Sequence, residues 1–120
     1  MKTVILGASP NPQRYAYQAA ARLSQKGLPF VPIGIKKGEV FGETILDLRT
    51  LPEIDDVHTI TMYMNADHQN EWLDYILSLK PKRIIFNPGA ENATLAKAAK
   101  AQGIIIENAC TLVMLSLGSY

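Results

Sequence analysis

Apolar, β-branched runs alternate with helix-forming stretches along the whole 120-residue chain, and this alternation most constrains its fold. "TVILG" (Thr3 to Gly7) reads as a strand buried on both faces and stopped by glycine. Gln13 to Lys26, rich in Ala, Leu, Arg and Gln, reads as a helix, with Gly27 at a C-cap position. "FVPIGI" (Phe30 to Ile35) is a second strand, although Pro32 lacks the N–H that a central ladder uses. A charged, glycine-containing loop follows, with a short helix at about Thr44 to Leu51. "VHTITMYM" (Val57 to Met64) is the third strand. Asn65 caps a helix through "ADHQNEWLDYILSLK", which sets Trp72, Leu73, Ile76 and Leu77 on one face. "RIIFN", "ENATLAKAAKAQG" and "IIIEN" supply a fourth strand, an alanine-rich helix and a fifth strand. The tail "ACTLVMLSLGSY" adds a short helix.

Strands separated by helices of this length pair in parallel through crossovers. The expected architecture is α/β: a Rossmann-like doubly wound parallel sheet of about five strands, with order 3-2-1-4-5 and helices on both faces. Residues 1–120 are read as one domain. Its 48% hydrophobic content is enough for a real core, and no apolar run approaches bilayer length. The apolar stretch in "MKTVILGASP" is too short for a signal-peptide core. A lone Cys110 forms no internal disulfide, which fits a reducing compartment, and the chain is read as cytoplasmic. A net charge of +1 offers no general attraction to nucleic acid or membrane.

Ligands of such sheets bind beyond the carboxyl ends of the strands, where strand order reverses. With the expected order, that point lies between the first and fourth strands. Gly7 lets a backbone approach closely, Ser9 can cap a helix or meet a phosphate, Pro12 suits a first turn, and Arg14 adds a cation. After the second strand, Gly34 and Ile35 lead into Lys36 and Lys37, where NAD-binding domains carry an acid. A positive pair suits a phosphorylated ribose, as in NADP or in the 3′-phosphate of coenzyme A. Asn87, Pro88 and Gly89 leave the fourth strand and wall the same pocket, and Tyr63 and Met64 leave the third.

Catalytic chemistry is not visible in the residues. His58 and His68 lack Cys or acidic partners at metal-ligand spacing, so no metal site is expected. Cys110 has no evident activating base and reads as a small, partly buried thiol. No serine sits in a nucleophile elbow, and Asp55 and Asp56 read as a solvated turn. The alternatives left open are a binding protein, an NADP-linked or acyl-transfer enzyme component, and an interaction module without ligand.

Two stretches, "VILGASPNPQRYAYQAAARLSQKGLPFVPIGIKKGEVFGE" and "NPGAENATLAKAAKAQGIIIENAC", carry a resemblance that covers essentially the whole chain. The features are the "GAS" turn before a Pro- and Arg-containing stretch, the spacing of Gly38, Glu39, Gly42 and Glu43, a glycine turn after the fourth strand, and Cys110 after the fifth. In these the chain resembles the small stand-alone CoA-binding proteins, similar to the N-terminal CoA-binding domain of the succinyl-CoA synthetase α subunit. The resemblance implies a Rossmann-like fold that binds CoA or acyl-CoA, and with no catalytic constellation visible the expected role is non-catalytic binding. It places the CoA phosphates at Gly7, Ala8, Ser9 and Arg14, with Pro10 beside them among the cofactor-binding residues, and the ADP portion along Gly34 to Lys37, with Lys36 or Lys37 at the 3′-phosphate. It also leaves room for a partner protein and for oligomerisation. The chain departs from the family pattern at Tyr63–Met64, where a Phe-Arg pair is common, and before Cys110, where an Arg is usual.

Overall fold

The computed structural model describes all 120 residues. In chain order the elements are β1 (Lys2–Leu6), α1 (Tyr15–Gln25), β2 (Phe30–Gly34), β3 (Glu39–Val40), β4 (Glu43–Thr44) and β5 (Leu46–Asp47). After a 3-10 turn at Leu48–Thr50 come β6 (Val57–Met62), α2 (Ala66–Asn70), α3 (Leu73–Ser78), β7 (Arg83–Phe86), α4 (Ala93–Ala101), β8 (Ile105–Asn108) and α5 (Thr111–Leu117). Six strands form one parallel sheet in the order β5-β2-β1-β6-β7-β8, and β3 and β4 form a separate antiparallel pair.

Helices cover both faces because the central strands are apolar on both. Val4, Leu6, Ile60, Met62, Ile84 and Phe86 pack under Ile76 and Leu79 at the α3 end and under Leu95 and Ala99 of α4. On the other face Ile5 meets Ala16, Ala20 and Leu23 of α1 and Leu115 of α5. Small alanines on α1 let that helix sit close to the sheet. No helix is long and apolar enough to cross a membrane.

The expected strand order requires one correction. Val57–Met62 does not lie beyond β2; it pairs with β1, Thr3 opposite Thr59 and Leu6 opposite Met62. The place beyond β2 belongs to β5, with Ile33 opposite Leu46 and Gly34 opposite Asp47. That segment is where a short helix is expected from the sequence. Ile45 and Leu48 are both buried, three residues apart, so a hairpin followed by a two-residue strand mimics helical spacing. The reversal of strand order therefore falls between β1 and β6.

Pro32 fits β2 because of that short neighbour. Pro29 and Ile33 offer their carbonyls to β1, so the nitrogen of Pro32 faces away, where β5 reaches only Ile33 and Gly34. The helix expected from Asn65 onward divides at Glu71 and Trp72 into α2 and α3, Trp72 having the non-helical φ of −125°.

Candidate functional site

A cleft of about 720 Å³ opens at the carboxyl ends of β1, β2, β6 and β7, across the reversal point. A larger hollow of about 910 Å³ lies at the opposite end, among Lys2, Asp55, Lys80 and Lys82. The segments there are loops returning to strands, without a glycine turn or the head of α1. The cleft is the better candidate on those grounds.

Of the residues expected from the sequence, Gly7, Ala8, Ser9, Arg14, Gly34, Ile35, Lys36, Tyr63, Met64, Asn87, Pro88 and Gly89 all line this cleft. Pro10 and Lys37 do not. Pro10 is exposed and lies beside Gly38, where an added Cβ would fall 2.9 Å from the Pro10 Cβ. Lys37 is exposed, and its charge is the least of the causes that lower the Asp47 pKa. Tyr15, Arg49, His68, Glu71 and Trp72 also line the cleft and were not singled out from the sequence as site residues. Arg49 arrives there through the 3-10 turn after β5, a strand too short to leave a readable pattern. Cys110 is half-buried at the start of α5, outside the cleft lining.

At Gly7 and Gly34 the chain's own backbone is already crowded. Gly7 has φ +96°, and a Cβ there would meet Met64 Cγ at 3.0 Å and the Met64 backbone nitrogen at 3.1 Å. Its N–H and that of Ala8 both donate to the Ile33 carbonyl, at 2.9 and 3.0 Å. A Cβ on Gly34 would sit 2.5 Å from the Ala8 carbonyl oxygen. The close approach at this turn is thus between β1, β2 and the segment leaving β6, and the Gly7 and Ala8 donors are already in use.

Donors for an anion lie further along. Ser9 Oγ accepts from the Asn11 N–H at 3.1 Å, and Asn11 Oδ1 accepts from the Gln13 N–H at 3.0 Å. These consecutive turns delay the helix to Tyr15, with Arg14 as its N-cap residue, so Ser9 and Pro12 precede the helix instead of opening it. The N–H groups of Ser9, Tyr15 and Ala16 have no acceptor within the chain, and all three residues line the cleft. Arg14, Lys36 and Arg49 add cations, against Glu71 as the one acidic residue of the lining. Arg49 grips Asp47 through two bonds of 2.9 and 3.1 Å. This pair holds the Asp47 carboxyl below its usual range.

Beneath the cleft, Asn87 ties three elements together. Its Nδ2 donates to Thr61 Oγ1 at 2.8 Å and to the Met62 carbonyl at 2.9 Å, while its Oδ1 accepts from the Thr111 N–H at 2.8 Å. The Tyr63 hydroxyl is buried without a hydrogen-bond partner, and burial pushes its phenol up to about 12, so it stays neutral.

A family model described as a CoA binding domain matches residues 1–116, nearly the full length of this fold. The chain belongs to that family. No curated protein matches it. Among solved structures, the CoA-binding domain is similar to an uncharacterized protein at 53% identity and TM-score 0.94, covering 99% of this chain and 97% of the other. It also matches Prb, the PH1109 protein redesigned for binding, at 23% identity, TM-score 0.86 and coverages of 99% and 84%. A third match is cell-free ID.343 from Thermus thermophilus, at 21% identity, TM-score 0.80 and coverages of 99% and 90%. The last two establish likeness of fold.

Proposed function

We propose that the cleft binds CoA or acyl-CoA and that the protein acts by holding it, without chemistry of its own. The observation that carries this reading is the set of unused N–H groups on Ser9, Tyr15 and Ala16 beside Arg14, at the reversal point of a CoA-binding domain. An anion at the head of α1 gains both hydrogen bonds and the favourable end of the helix dipole. The pyrophosphate belongs there. The adenosine then extends toward β2, where Lys36 and Arg49 meet the 3′-phosphate, and the pantetheine arm runs the other way, between Met64 and the Pro88–Gly89 turn.

Calorimetric titration with CoA, dephospho-CoA and NADP tests the reading. CoA binds, and dephospho-CoA binds about tenfold more weakly, the worth of one charge-assisted contact. Lys36→Ala and Arg49→Ala each narrow that difference. Equal affinity for CoA and dephospho-CoA removes the role given to Lys36 and Arg49. NADP binding tighter than CoA, or no binding of CoA, overturns the assignment.

A further inference from the structure

Gln69 on α2 is fully buried, an unusual place for a polar side chain. Its Nε2 donates to the Met64 carbonyl at 2.7 Å and to the Ala90 carbonyl at 2.6 Å. Met64 belongs to the turn leaving β6, and Ala90 to the turn leaving β7, which its own N–H closes onto the Asn87 carbonyl at 2.8 Å. Both turns wall the cleft. The remaining amide atom, Oε1, is buried and has no partner. A carboxamide is costly to bury with its acceptor unused, and an apolar side chain would avoid that cost. An apolar side chain would, however, leave two main-chain carbonyls without donors. The two N–H groups of the Gln69 amide serve both carbonyls at once. Gln69 is fixed in turn by its main chain, since its N–H bonds to the Asn65 carbonyl at 3.0 Å and the Asn65 side chain caps α2.

We propose that Gln69 is a positioning residue that holds the turn after β6 and the turn after β7 as one unit, and so sets the width of the cleft where the pantetheine arm lies. The inference rests on the CoA reading for its ligand and on the two hydrogen bonds for its mechanism. A tie of this kind acts on the arm and leaves the nucleotide end alone, which separates it from a general loss of structure.

Two variants of the full chain test it. In Gln69→Met, amide hydrogen exchange speeds up together in the segments around Met64 and Ala90, while β1 keeps its protection. CoA affinity falls about tenfold, comparable to one lost hydrogen bond, whereas adenosine 3′,5′-bisphosphate, which has no arm, stays within about twofold. Gln69→Glu keeps the shape: its neutral acid donates to one carbonyl, and its carboxylate repels both. The ratio of Gln69→Glu to wild-type affinity for CoA therefore falls between pH 5 and pH 8. Exchange that speeds up in one turn only, or in neither, overturns the proposal. Equal losses for both ligands, or an affinity ratio flat with pH, overturn it as well. A wild-type protein that binds no CoA defeats the ligand assignment alone, and the exchange measurement still decides the tie.

Discussion

A methyl group added at Gly34 would lie 2.5 Å from the Ala8 carbonyl oxygen, backbone against backbone, so β1 or β2 must move to admit it. Gly34→Ala is expected to lower stability by about 1–3 kcal/mol, the usual cost of overpacking, read as a drop in the denaturation midpoint. A midpoint equal to the wild type's sinks this account of the glycine. His58 supports a second expectation. Burial first, and the cations Arg83 and Lys82 after it, hold its pKa below the ordinary value of 6.5. The unfolded chain then binds the proton more readily, so stability rises with pH through the window below 6.5 and is lost on acidification. His58→Gln removes this part of the slope, checked by urea midpoints for both proteins between pH 5 and pH 7. Glycine types were legible in the sequence at positions 7 and 34, but their reason was not. A sequence shows that something approaches a glycine; only the fold shows that the neighbour is the chain's own segment leaving another strand.

At the scale of elements, the helix start at Asn65 was legible because one side chain does the capping, and α4, read from Glu91, starts in the same way one residue after Asn92. Asn65 accepts from the His68 N–H at 3.0 Å, and Asn92 accepts from the Leu95 N–H at 3.1 Å. Asn92→Ala should cost about 1 kcal/mol, measured by chemical denaturation, because the first turn of α4 loses its side-chain acceptor. A loss near zero would mean that water serves that turn equally well. The start of α1 misleads because Ser9, Asn11 and two prolines resemble a capping sequence while in fact forming turns that end at Arg14. Strands β3, β4 and β5 are two residues each, below the length at which alternation can be read, and they bring Arg49 into the cleft unannounced.

For the whole molecule, local pattern indicates parallel pairing and helices on two faces, because each crossover repeats the same chemistry. It does not indicate which strand flanks which, since Val57–Met62 is apolar enough to serve either beside β1 or at the edge. The edge is filled by β5, and the reversal beside β1 brings Gly7, Tyr63 and Met64 together. A ligand held there touches loops from β1, β2, β6 and β7, so it must be released before the sheet unfolds. CoA should therefore raise the thermal midpoint with concentration, by the equivalent of about 2.7 kcal/mol at a hundred times its dissociation constant. Dephospho-CoA at the same concentration should raise it less. Added salt should shrink the difference between the two, because Lys36 and Arg49 are exposed and their attraction to the 3′-phosphate is screened. Thermal scans across a CoA series at low and high salt measure all three trends. A midpoint that ignores CoA while responding to salt alone would place the stabilising charges on the protein's own ion pairs, Arg49–Asp47 and Arg83–Glu107, instead of on a bound nucleotide.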